Sequence, residues 1–151
     1  MDKDVLVTVS GLLFGTNEEG GMEDIEVIAP GEYYQKNGKH YVIYEELAEE
    51  QSEPVRNLLR ISSDKLSIRK RGLINTELEF VPGNATVSHY STPFGNLVLG
   101  IRAKELKIQE EEKRIKIDVE YALEVNYEHI SNCYIKIQVQ SKEGQDFSLT
   151  S

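Results

Sequence analysis

"RIKIDVEYALEV", Arg114 to Val125, decides the fold. Its odd positions read Ile115, Ile117, Val119, Tyr121, Leu123 and Val125; its even ones read Lys116, Asp118, Glu120, Ala122 and Glu124. Successive side chains of a strand point to opposite faces, so this alternation sets one face in a core and the other in water. On a helix the same apolar residues would scatter around the whole circumference. The segment is therefore a strand with one buried face.

Outward from it, the rhythm repeats. "CYIKIQVQ" sets Cys133, Ile135, Ile137 and Val139 against Tyr134, Lys136, Gln138 and Gln140, and a short link at Asn126–His129 makes the two runs a hairpin. Toward the N-terminus, Asn37-Gly38 stands between two Tyr-rich runs in "EYYQKNGKHYVIYEEL". Asn-Gly supplies the positive φ angles of a tight hairpin turn. "VLVTVSG" offers Val5, Val7 and Val9 on one face; "DIEVIA" offers Ile25, Val27 and Ala29. "VRNLLRIS" passes through Ser63-Asp64 into "KLSIRKRG", a further hairpin. "TELEFVPG" gives Leu78 and Phe80 before Pro82-Gly83 turns the chain. "ATVSHY" predicts Ala85, Val87 and His89 on the inner face. "LVLGIRAKELKI" alternates from Leu97 to Ala103, then slips phase before Leu106 and Ile108, which predicts a bulge.

Between these runs, "YSTPFGNL" reads as a corner. Pro93 fixes φ, Gly95 and Asn96 tolerate left-handed angles, and Phe94 at the tip is expected to fold back over the barrel end. "GTNEEGGME", Gly15–Glu23, reads as a loop between the first two strands. "EELAEEQSE", Glu45–Glu53, contains helix formers but little to bury and stops at Pro54, so a polar turn fits it best.

About ten strands at short, even spacing point to an all-β sandwich or barrel. Short turns can join every neighbouring pair, which favours an up-and-down meander. Bare strand edges invite aggregation, so the expectation is a closed antiparallel barrel in one domain spanning residues 1–151.

Composition narrows the functions. Acidic residues outnumber basic ones 26 to 17, a net charge of −9. Binding to phosphate backbones or anionic membranes runs on Lys and Arg, so neither nucleic acid nor a membrane is the expected partner. The local exception is "IRKRG", with Arg69, Lys70 and Arg71, whose plain reading is a solvated strand end. Cys133 is the only cysteine, which excludes an internal disulfide and a multi-cysteine zinc site. Acidic Asp2 and Asp4 precede the first apolar run, unlike the basic start of a signal peptide, and the expected location is the cytoplasm.

Chemistry-bearing motifs are missing. His40, His89 and His129 lie far apart with no metal-ligand spacing. No Gly-x-Ser-x-Gly and no phosphate loop occurs, so neither a catalytic constellation nor a cofactor is expected.

The order "EYYQKNGKHYVIYEE", "LSIRKRG", "FVPGNATVSHYSTPFGNLVLGI" and "IDVEYALEVNYEHISNCYIKIQV" resembles the YwiB-like family of bacterial proteins of unknown function. The most specific pieces are the Tyr-x-Thr-Pro-x-Gly turn at Tyr90–Gly95 and a basic strand end that here reads Arg71-Gly72. Tyr44-Glu45 and "VEYALEV" also match. The resemblance implies a calycin-like or lipocalin-like barrel of about eight to ten strands, and no catalytic residues.

Two functions stay open. One is a barrel holding a small apolar or anionic molecule, lined by Tyr44, Arg71, His89, Tyr90 and Tyr121, which bring polar tips to otherwise apolar strands. Arg71 would then meet an anionic head group near Glu45, although its parity opposes that of Leu66 and Ile68. The other is a side-chain-filled barrel acting through its surface or as a homodimer. An enclosed cavity of about 300 Å³ or more would favour the first.

Overall fold

The computed structural model describes residues 3–16, 22–46, 54–93 and 95–142. Ten strands follow one another: β1 (Asp4–Thr16), β2 (Met22–Lys36), β3 (Lys39–Glu46), β4 (Val55–Ser62) and β5 (Lys65–Arg71) form the first half. The second half is β6 (Thr76–Phe80), β7 (Ala85–Thr92), β8 (Gly95–Glu111), β9 (Arg114–Val125) and β10 (Glu128–Ser141). The Gly15–Glu23 reading is corrected at both ends, because β1 runs to Thr16 and β2 begins at Met22. Its middle, residues 17–21, lies outside the described residues, as do residues 47–53 of the polar-turn reading and Phe94.

All pairings are antiparallel, in the order β6-β5-β4-β3-β2-β1-β10-β9-β8-β7. The meander curls round and pairs its first strand with its last, Val5 opposite Ser141 and Val9 opposite Ile137. This is the closure the sequence called for. The ladder breaks elsewhere, between β6 and β7, which only one backbone bridge joins: Asn75 and Ser91 exchange N–H···O bonds of 3.0 and 2.9 Å. Hydroxyl groups close the rest of that seam. Ser88 Oγ donates to the Glu77 carbonyl at 2.6 Å, and Thr86 Oγ1 to the Glu79 carbonyl at 2.9 Å.

The turns are those that the residues favour. Asn37 and Gly38 have φ of 54° and 77°, and Asn126 and Tyr127 have 51° and 73°. The phase slip in β8 is a register shift between Ala103 and Glu105. A second shift, between Ser10 and Leu12, is built on Gly11 at φ 84°. There a Cβ would lie 2.0 Å from the Tyr134 carbonyl oxygen, so only glycine fits.

Inside, the apolar faces fill the cylinder. Val5, Val7, Leu59, Ile68, Ile117 and Ile135 are among the fully buried residues, with Phe80 set edge-on to Tyr121 at 5.1 Å. Cys133 is buried and unbridged. One face is reversed relative to expectation. On β7 the inner residues are Ser88 and Tyr90, while Ala85, Val87 and His89 point to solvent. Among the described residues no helix is long and apolar enough to cross a membrane.

Candidate functional site at one end of the barrel

Following the register across neighbouring strands, Tyr44 of β3 faces Asn57 of β4, Asn57 faces Lys70 of β5, and Lys70 faces Thr76 of β6. Strand side chains alternate, so all four share the inward face with Val42, Leu59, Ile68 and Leu78. Extending the Asn75–Ser91 bridge by one residue sets Thr76 against Tyr90 across the seam. A cylinder apolar along most of its length therefore ends in a polar layer. Gly31 of β2, opposite Tyr44, makes room for it: a Cβ there would lie 3.0 Å from Val7 Cγ2 and 3.4 Å from Tyr44 Cβ.

Glu46, at the end of β3, caps this layer. Lys70 Nζ donates to Glu46 Oε1 at 2.5 Å and to Asn57 Oδ1 at 2.8 Å, while Asn57 Nδ2 donates to Glu46 Oε1 at 2.9 Å. The Lys70 side chain is 2% exposed and that of Glu46 20%. Burial pulls the Lys70 ammonium below the ordinary lysine value, and the Glu46 carboxylate partly opposes it. Burial, reinforced by the Glu46 charge, pushes the Tyr44 and Tyr90 phenols well above their usual range, so both stay neutral donors. Thr76, 4% exposed, has a buried Oγ1 with no hydrogen-bond partner.

This arrangement offers an ammonium, an amide, a hydroxyl and two phenols, a set that binds acceptor groups. It does not assemble an activated nucleophile, because Lys70 is committed to Glu46 and Asn57. Among the described residues no group of three or more His, Cys, Asp or Glu side chains could hold a metal ion.

Of the residues singled out in the sequence, Tyr44 and Tyr90 come together here. Tyr121 does not: it packs on Phe80, which lies four residues along β6 from Thr76, at about 3.4 Å per residue. Arg71 is exposed on the outer face, as its parity required, with Nη1 reaching only the Lys70 carbonyl at 3.4 Å. His89 is exposed on the outer face of β7, which corrects the inward orientation expected for it. Lys70, read with Arg69 and Arg71 as a solvated strand end, is instead buried, in keeping with its sharing the parity of Leu66 and Ile68, whereas Asn57 and Thr76 carry no signal of their own in the sequence. His40, which has no metal-ligand spacing in the sequence, is buried at the other end of β3 in a chain of hydrogen bonds. Tyr33 Oη lies 2.6 Å from its Nδ1, and Glu110 Oε1 lies 2.8 Å from its Nε2.

Among the described residues, the grooves on the outside include two. One of about 380 Å³ crosses β1, β10 and β9 and is lined by Thr8, Lys116, Asp118, Lys136 and Gln138. The other, of about 580 Å³, borders the polar end, reaching Gly31 and Tyr44 between Asp4, Glu45, Arg56 and Lys142.

A family model described as a domain of unknown function (DUF1934) matches residues 13–137. The "Uncharacterized beta-barrel protein YwiB" of Bacillus subtilis (strain 168) is 28% identical over 120 residues, which cover 78% of this chain and 83% of that protein. The crystal structure of the ywiB protein from Bacillus subtilis matches with a TM-score of 0.74 at 24% identity, over 92% of each chain, a likeness of fold.

Proposed function

The chain belongs to the DUF1934 family, and from that premise we propose that it is a calycin-like binding barrel of the cytoplasm. Its polar end would take one small molecule through an anionic or other acceptor group. Lys70, Thr76, Tyr44 and Tyr90 are the contacts, and the seam beside Thr76 and Tyr90 is the way in. The reading calls on no cofactor, nucleic acid or membrane. Arg71, His89 and Tyr121 take no part in it.

The observation that carries this reading is the buried Lys70–Glu46 pair beside an unpaired Thr76 hydroxyl. Apolar residues of similar volume in place of a buried ion pair are often neutral or stabilising, so packing alone gives no reason to keep it. Perturbed titratable groups gathered in one place favour a functional site over a structural one.

Native mass spectrometry of the protein purified from its own host tests this. A small molecule bound one-to-one to the wild type and lost from Thr76→Val supports the site. A wild-type spectrum showing only the mass of the bare chain removes it. One observation favours a second reading, a barrel that acts through its surface or as a homodimer: Ile28, Val87 and Tyr134 are each more than 60% exposed, at 63%, 67% and 62%. A dimer mass without a ligand would select that reading.

A further inference from the structure

On the outer face of the same barrel end, Arg56 of β4 stands directly opposite Arg71 of β5. Directly opposed residues have Cβ atoms about 5 Å apart, and like charges so placed destabilise a sheet. The other outward-facing basic groups of β4 and β5 have acidic partners. Arg60 meets Glu77 at 2.6 Å, Arg69 meets the same carboxylate at 4.0 Å, and Lys65 meets Glu79 at 3.0 Å. Neither Arg56 nor Arg71 has a carboxylate within ion-pairing distance among the described residues. Glu45 faces Arg56 from β3 in the register, yet the two form no ion pair. In a chain of net charge −9, two opposed guanidinium groups without a counter-ion need a reason.

Two details sharpen the site. Arg69, two residues before Arg71 on the same strand face, has its Nε buried with no hydrogen-bond partner. The strand ends that carry the pair are also pinned together, because Gly72 lies so close to β4 that a Cβ would meet the Pro54 carbonyl oxygen at 2.8 Å.

We propose that Arg56 and Arg71 form an oxyanion site on the outside of the barrel that takes a phosphate group, free or esterified to a small molecule. Guanidinium forks pair bidentately with phosphate. A dianion neutralises both arginines at once, whereas a single carboxylate such as Glu45 balances only one. The outer site does not depend on the polar layer inside, since the arginines and Lys70 point to opposite faces of β5.

Melting of the whole chain in inorganic phosphate, in phenyl phosphate and in sodium chloride of matched ionic strength provides the test. Millimolar amounts of either phosphate should raise the melting temperature by several degrees and move the Arg56 and Arg71 side-chain NMR signals. The compound with the tighter response identifies free or esterified phosphate. Arg56→Gln and Arg71→Gln should each lose this response, and Arg71→Gln should melt no lower than wild type without phosphate, as a like-charge contact has gone. A wild type that answers both phosphates and chloride alike, or variants that keep the response, would overturn the proposal. Thr76→Val should retain the phosphate response, which separates a failure of this site from a failure of the interior one.

Discussion

Lys70 shows how a residue's chemistry and its place can pull in opposite directions. Its ammonium is buried at a strand position where leucine would serve, and Glu46 and Asn57 keep it there. Removing Lys70 alone leaves the carboxylate without its partner, so Lys70→Met should cost about 3 kcal/mol, while Lys70→Met with Glu46→Gln should return to within about 1 kcal/mol of wild type, both read by urea unfolding. The pH dependence has a definite sign. Lys70 titrates below 10.5 when folded and at 10.5 when unfolded, so between those values the unfolded chain holds the extra proton. Stability from this group therefore rises with pH through that window, and the penalty for the buried charge is gone above it. Any advantage of the double variant over wild type should be largest near neutral pH and shrink toward 10.5. Thr76→Val isolates the orphan hydroxyl: by urea unfolding it should stabilise the protein by about 1–3 kcal/mol, the cost of an unsatisfied buried polar group. Parity made Lys70 legible in the sequence, but a basic residue in "IRKRG" looks like surface until its partners are known. Those partners come from β3 and β4, 24 and 13 residues away.

Strands and turns were the readable level. Alternation placed the core faces of β1, β9 and β10, and Asn37-Gly38 marked its hairpin, because period and turn chemistry are local. β7 misled for an equally physical reason. Reading its apolar residues as the inner set assumes that burial alone chooses the face, whereas Ser88 and Thr86 supply hydroxyls to the β6 carbonyls that no ladder satisfies. That need arises from a neighbouring strand, so Val87 and His89 point outward. Gly11 carries an element-scale prediction. Gly11→Ala would force a Cβ onto the Tyr134 carbonyl at a left-handed φ, and should cost more than about 4 kcal/mol, as a loss of protein folded at 37 °C or a collapse in urea midpoint. Tyr127 is the milder counterpart, a bulky residue at φ 73° in an exposed turn. Tyr127→Gly should stabilise by about 1 kcal/mol in thermal melts, since an L-residue pays roughly that in the left-handed region.

At the scale of the whole molecule, the barrel's hydrogen bonding runs unbroken where its first and last strands meet and is weakest between two strands adjacent in sequence. Closure could be expected from edge avoidance, but the position of the seam could not, because it depends on how far ten twisted strands can bend. A circular permutant cut between Gly83 and Asn84, at the seam turn, should keep nearly all of the wild-type melting temperature. One cut between Asn126 and Tyr127 splits the β9–β10 hairpin and should melt well below it. The pairing of Val5 with Ser141 has a further outcome during synthesis. At ribosomal speeds of about 5–20 residues per second, roughly 7–27 seconds separate the making of those two residues, and throughout that interval β1 waits with a raw border. Thr8 and Ser10, half-buried on its outer face, are the kind of polar residues that keep a newborn strand from joining a stranger before its own last strand arrives.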